Sequence, residues 1–204
     1  MNTVLAFVIV FFFVALAVIA FVIYADAKTI VIGPRKFNYK EGAANTNSEQ
    51  ARASQDADQE TGNMRASASL EGTGKADASA RVGWEHQFTG TKGKECTVEM
   101  KFECRGNVSV ERESASSKAS VKAVAASDSK TFHEEVLTRV GETGFPASPS
   151  GKPSAHKFVF NLEPEDKFSV YLEIEAGVEG TDAAARAEVE ARLIEISFRP
   201  KLFF

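Results

Sequence analysis

Cysteine is scarce in this sequence: Cys96 and Cys104 are the only two among 204 residues. That excludes a small disulfide-built scaffold and a four-thiolate zinc site, both of which need more sulfur. An excess of basic charge is missing too. Lys and Arg total 24 against 28 Asp and Glu, a formal net charge of −4. A chain without a basic face cannot neutralise phosphates, so nucleic acid is not an expected partner. Histidine is rare. His86, His133 and His156 are scattered, and none sits in a metal spacing such as His-Glu-x-x-His. His133-Glu134-Glu135 sets carboxylates beside an imidazole, but neighbouring strand residues face opposite ways. No Gly-x-Ser-x-Gly nucleophile elbow occurs. Gly72-Thr73-Gly74-Lys75 is too short for a phosphate loop and lies between two strand patterns, where a hairpin turn explains it. No catalytic, cofactor-binding or metal-binding residue is therefore assigned, no cofactor is expected, and a small-molecule ligand is not anticipated.

What the sequence does have is one long apolar run. Val4 to Tyr24 is 21 consecutive apolar residues. As a helix it would be roughly 31 Å long, matching a hydrocarbon core of about 30 Å. Residues 1–27 are thus expected to form a transmembrane helix or signal anchor, with the lipid bilayer as partner. Ala25-Asp26-Ala27 has the small-x-small form of a cleavage site. The run is longer than a usual signal core, however, and Met1-Asn2-Thr3 has no basic residue, so retention of a single-pass anchor is expected. Lys28, Arg35, Lys36 and Lys40 follow the run, which by the positive-inside tendency would leave the rest of the chain in the cytoplasm. The character of the following domain favours an extracytoplasmic position, periplasmic or cell-surface, and the two indications conflict.

Residues 28–63 read as a juxtamembrane segment and polar linker. Ile30-Val31-Ile32 is a short strand or extended spacer stopped by Gly33-Pro34, and Glu41 to Asn63 holds no large apolar residue. A stretch of that kind buries too little surface to offset its ordering entropy, which predicts a solvated stalk. From Met64 onward the pattern has period two. Ala66, Ala68 and Leu70 share one parity; Ala76, Ala78, Ala80, Val82, Trp84 and His86 share the next. Cys96, Val98, Met100, Phe102 and Cys104 follow, then Ala119, Val121, Ala123 and Ala125, then Phe158 and Phe160, then Phe168, Val170, Leu172 and Ile174. Charged and hydroxylated residues fill the alternate positions. One dry and one wet face per run is the mark of antiparallel sheet. In the last run Ala183 to Leu193 keep odd parity while Ile194, Ile196 and Phe198 are even, which predicts a β-bulge between them; a helix over AAARAEVEARL is the rival. Residues 64–204 are thus expected to form an all-β domain, an antiparallel two-sheet sandwich of jelly-roll type with eight or so strands.

Cys96 and Cys104 share one face of one strand, roughly 26 Å apart, too far for a disulfide unless a turn breaks the strand between them; buried thiols are expected. Glu173 and Glu175 share a face and have the composition of a glycoside-hydrolase pair, but Ser169, Tyr171 and Glu179 beside them read as a solvated face. Sugar binding needs exposed aromatic rings, and among the clear strands only Tyr171 points outward, with Phe132 and Phe145 left as loop aromatics. Asn107-Val108-Ser109 is a glycosylation sequon, predicted mid-strand. The inward alanines leave room for close approach by another element, and core packing is the favoured cause. Lys201-Leu202-Phe203-Phe204 gives the chain an apolar end.

The stretches Ala76–Trp84, Leu162–Val170 (LEPEDKFSV) and Ala183–Ile196 together resemble a class of bacterial surface proteins with an Ala/Ser-rich β-sandwich behind a signal-like N-terminus. The likeness covers roughly Met64 to Phe198. It implies export and a structural or adhesive role, and implies no site residues. The expected function is a non-enzymatic, membrane-anchored β-sandwich acting as a structural or protein-interaction module, such as an accessory subunit of a membrane complex or a surface component. Its partners would be other membrane or surface proteins. The alternative is a carbohydrate-binding or carbohydrate-active surface module.

Overall fold

A computed structural model of the chain describes residues 12–16, 29–87, 94–111, 114–127, 131–140, 154–162 and 167–200. Apart from a helical turn at residues 12–16, these residues form nine antiparallel strands and their connections. The strands are β1 (Ile30–Ile32), β2 (Tyr39–Thr46), β3 (Ala51–Asp58), β4 (Asn63–Gln87), β5 (Lys94–Val110), β6 (Ala115–Ser127), β7 (Thr131–Val140), β8 (Ser154–Leu162) and β9 (Lys167–Pro200). The apolar run Val4–Tyr24 lies mostly outside the described residues. Its described part, Phe12 to Leu16, is helical with Phe12 and Phe13 exposed. Among the described residues no helix is long and apolar enough to cross a membrane.

Two strands organise everything else. β4 has 25 residues and β9 has 34, and they pair along most of their length. A straight strand covering Phe168 to Phe198 would be about 100 Å long, yet those two rings have centroids 5.7 Å apart. β9 therefore doubles back on itself, and β4 bends with it. The result is β-sandwich-like. One layer holds β2, residues 75–87 of β4, residues 167–180 of β9, β6 and β7; the other holds β3, residues 63–72, residues 183–200, β5 and β8. β1 extends the second layer, pairing with Ile196 to Phe198.

The corner sits where a hairpin turn is expected, at Gly72-Thr73-Gly74-Lys75. Gly72 and Gly74 have φ of 134° and 152°, and the β4–β9 register slips between them. A side chain at either glycine would be strained. Opposite them Asp182 takes φ 49°; its N–H donates to Thr73 Oγ1 at 3.1 Å, and Thr73 Oγ1 donates to Asp182 Oδ1 at 3.3 Å. Both segments are thus bends within continuous strands that carry the chain from one layer to the other, rather than hairpin turns. Residues 47–50 clamp the bend. Asn47 Oδ1 accepts the Lys75 N–H at 2.6 Å, and Gln50 Oε1 accepts the Thr73 N–H at 3.0 Å. These side chains replace ladder bonds that the corner breaks.

That clamp belongs to the segment expected to be a solvated linker, and the expectation fails. β2 and β3 pair with β4 over their full lengths, from Tyr39↔Gly83 to Asp58↔Asn63. The segment has little apolar surface, but it needs little, because a neighbouring strand satisfies its backbone. The bulge expected in the last run is present. Lys101 pairs with Glu195 and Phe102 with Leu193, leaving Ile194 as the extra residue. The helical rival for Ala183–Leu193 is excluded, since all of it is strand.

The inward alanines pack the core. Ala66, Ala76, Ala80, Ala119, Ala123 and Ala187 have no exposed surface, and they face larger buried residues such as Phe102, Leu70, Met100 and Leu172. Full burial of a Leu-sized side chain contributes roughly 1.5–3 kcal/mol. Trp84 closes the end away from the corner, 5.5 Å from Phe168 and 5.1 Å from Phe198.

Candidate ligand-binding face

The outer surface of the first layer is built by registered rows of outward residues. One row runs Tyr39, Gly83, Tyr171, and the next runs Glu41, Arg81, Glu173, Lys122. Gly83 has no side chain to hold its neighbours apart, so the Tyr39 and Tyr171 rings close over it, with centroids 5.0 Å apart and planes at 36°. A Cβ at Gly83 would lie 2.1 Å from the Val170 carbonyl oxygen and 2.5 Å from the Tyr171 Cα. The pair therefore requires glycine between it.

Arg81 ties the tyrosines to the charged row. Its Nε donates to Glu173 Oε1 at 2.8 Å and its Nη1 to Glu41 Oε2 at 2.9 Å. Its guanidinium carbon lies 5.5 Å from the Tyr171 ring centroid, a cation–π contact. Burial works against the charge of Arg81, but hydrogen bonds and attraction from Glu173 outweigh it and raise the guanidinium pKa. Burial raises the Tyr39 phenol to about 12, helped by its hydrogen bond with Glu41. Burial likewise raises Tyr171. Both phenols stay protonated at neutral pH and can donate.

The expected solvated face at Glu173 needs correction. Glu173 is only 6% exposed, since Arg81 lies across it. Glu175 accepts from Lys122 Nζ at 2.6 Å and from Ser120 Oγ at 3.1 Å. Burial pushes the Glu175 carboxyl up, but Lys122 outweighs this and holds it below the usual carboxylate range. A general acid needs the opposite shift.

The remaining candidates are spread over the molecule. His86 stacks on Trp84 at 5.0 Å, and His156 lies edge-on to Phe158 at 5.2 Å. The side chain of His133, and the segments holding Phe145 and Lys201–Phe204, lie outside what is described, as does the side chain of Phe132. Among the described residues no group of His, Cys, Asp and Glu could hold a metal ion. Cys96 and Cys104 are buried with no disulfide between them, and burial raises the Cys104 thiol. Asn107 and Ser109 are exposed on the outer face of β5. Sequence reasoning missed Tyr39, which lies in the supposed juxtamembrane segment. A signal was present: Tyr39-Lys40-Glu41 has the same Tyr-x-Glu spacing as Tyr171-Leu172-Glu173.

No family model matches the chain, and no curated protein matches it. Its resemblance to solved structures is distant. The glycoside hydrolase domain of Endo-D from Streptococcus pneumoniae R6 aligns at 12% identity and a TM-score of 0.29, over 80% of this chain and 22% of that one. TmCBM61, solved with β-1,4-galactotriose, aligns at 8% identity and a TM-score of 0.24, over 78% of this chain and 88% of that one. Carbohydrate-binding modules of the β-sandwich superfamily align at 8% identity and a TM-score of 0.22, over 83% and 57%. Likeness at this level carries no functional argument.

Proposed function

We propose that this chain is a non-catalytic binding module that holds a carbohydrate on the outer face of its first layer. The observation that carries the reading is the Tyr39–Tyr171 pair closed over Gly83, beside the Arg81–Glu41 contact. Aromatic faces suit the apolar faces of sugar rings, and planar guanidinium and carboxylate groups suit paired hydroxyls. The ion-paired state of Glu173 and Glu175 supports binding without hydrolysis. The apolar run Val4–Tyr24 supports a single-pass tether, and a surface glycan would put the β-domain on the extracytoplasmic side.

The test is titration of the full chain, in mild detergent, against a panel of neutral and acidic oligosaccharides. Binding to at least one member is expected. Tyr171→Ala should weaken it about tenfold, or about 1.4 kcal/mol, while Tyr171→Phe keeps most of it. Absence of binding across the panel, or equal affinity in Tyr171→Ala, would refute the reading. Release of reducing ends would refute the non-catalytic part. A protein-interaction role is favoured by a different observation: Ile30, Val31 and Val159 are exposed apolar residues on strand β1, which pairs with β9, and strand β8, which pairs with β5. Copurification in fixed ratio with a membrane complex would support that second reading.

A further inference from the structure

The outer face of the second layer carries no aromatic ring among the described residues, yet it holds the larger concavity. A groove of about 870 Å³ lies over β3, β4, β9 and β5. A further hollow of about 530 Å³ lies on the same strands, beside Arg65, Arg105 and Glu190. Both volumes fall in the range of ligand sites. The groove exists because its floor residues are small. Ser54 and Ser67 stand in successive register beside Glu188, and Ser69 and Ser109 flank Arg186 in the next row.

Its chemistry is mixed by design of the strand pattern. Arg52 and Arg186 give two positive charges to the lining, and Glu71, Glu111 and Glu188 give three negative ones, a balance of −1. An acidic polymer would meet three carboxylates and a cation two guanidiniums, so neither sign of ligand is favoured. Donors, acceptors and hydroxyls that are both stand side by side: Arg186 donates to Glu188 at 2.8 Å, and the Ser54 and Ser67 hydroxyls are 2.8 Å apart. Arg52 makes no ion pair with another described residue, which leaves its fork available. A row of hydroxyls, each both donor and acceptor, complements this lining; a hydrocarbon would leave it unpaired.

We propose that this groove is a second ligand site, taking a neutral polyhydroxylated chain laid along β9. It lies on the opposite side of the molecule from the Tyr39–Tyr171 pair. With the tyrosine site of the proposed function also filled, one chain would hold two separate ligands, and a tethered copy would bridge two neighbouring polymers. The second site stands on its own observations and needs no part of the tyrosine reading.

The experiment is calorimetric titration of the full chain in mild detergent with gluco-, manno- and galactotetraose. A stoichiometry of two is expected for at least one of them. The double substitution Ser67→Ile, Ser69→Ile fills the floor with residues that strands favour, and should reduce the stoichiometry to one. Tyr171→Ala should also reduce it to one, by removing the other site. Arg52→Ala, which breaks no ion pair among described residues, should weaken the groove site about tenfold. A stoichiometry of one that is lost in Tyr171→Ala and unchanged in the Ile variant overturns the groove and leaves the tyrosine site standing. A stoichiometry of one lost in the Ile variant alone supports the groove and overturns the tyrosine site. No uptake of any tetrasaccharide overturns the groove proposal.

Discussion

Two glycines on the same pair of strands should respond oppositely to one methyl group. At Gly177 an added Cβ would meet Asp77 Oδ1 at 2.9 Å, the end of a flexible side chain that can swing aside. At Gly83 it would meet the backbone: the Val170 oxygen at 2.1 Å and the Tyr171 Cα at 2.5 Å. Normal contact between carbon and oxygen is about 3.3 Å, so β4 and β9 would have to part by roughly 1 Å there. Forced overpacking costs about 1–3 kcal/mol, and weakening two ladder hydrogen bonds adds about 1 kcal/mol each. Both substitutions gain about 0.4–1 kcal/mol from a stiffer unfolded chain. Gly83→Ala should therefore destabilise by about 2–5 kcal/mol, and Gly177→Ala should lie within about 1 kcal/mol of the parent. Guanidinium unfolding followed by the fluorescence of Trp84, the single tryptophan and the neighbour of Gly83, reads both. Equal midpoints for the two variants would refute the claim that backbone contact at Gly83 holds the tyrosine row together.

The pH extremes test the same face. Tyr39 and Tyr171 have raised folded pKa values, Tyr39 at about 12. Their contribution is full below the unfolded value near 10 and is lost as pH rises through the folded values; absorbance titration should show these phenolates forming late in the native protein and near pH 10 in denaturant. Simultaneous ionisation of all tyrosines near pH 10 in the native state would contradict the half-buried pair. At the acid end, Glu175 is depressed because Lys122 outweighs its burial, and Glu188 because of its hydrogen bond with Arg186. Their contribution is present above the unfolded value near 4.3 and is lost as pH falls through the folded values, so melting temperature should decline there. Lys122→Met should flatten that decline, and an unchanged acid limb would show that Glu175 is not coupled to Lys122.

Much of the fold was legible one residue at a time. Alternation located the strands from Met64 onward, because a half-buried strand repeats every two residues whatever its neighbours are. The switch of parity at Ile194 disclosed a bulge for the same reason. Residues 39–58 were misread because their strands lie at an edge. An edge strand is held by hydrogen bonds to its neighbour, and β2 is exposed along nearly all its length, so it leaves no apolar signal. The glycines at 72 and 74 were misread as a hairpin turn because a corner and a hairpin use the same conformations.

The sequence by itself determined the dry and the wet parity of most strand residues from Met64 onward, since parity and polarity are local properties of the strand; Glu173, outward by parity yet 6% exposed, owes its burial to Arg81 lying across it. The sequence also determined that Cys96 and Cys104 could not pair across their own strand. Which outward residues become neighbours was decided by tertiary structure. Tyr39 and Tyr171 are 132 positions apart and meet because β2 and β9 flank Gly83. Register between distant strands is a collective result of packing and ladder pairing, so no local pattern could place those two rings together.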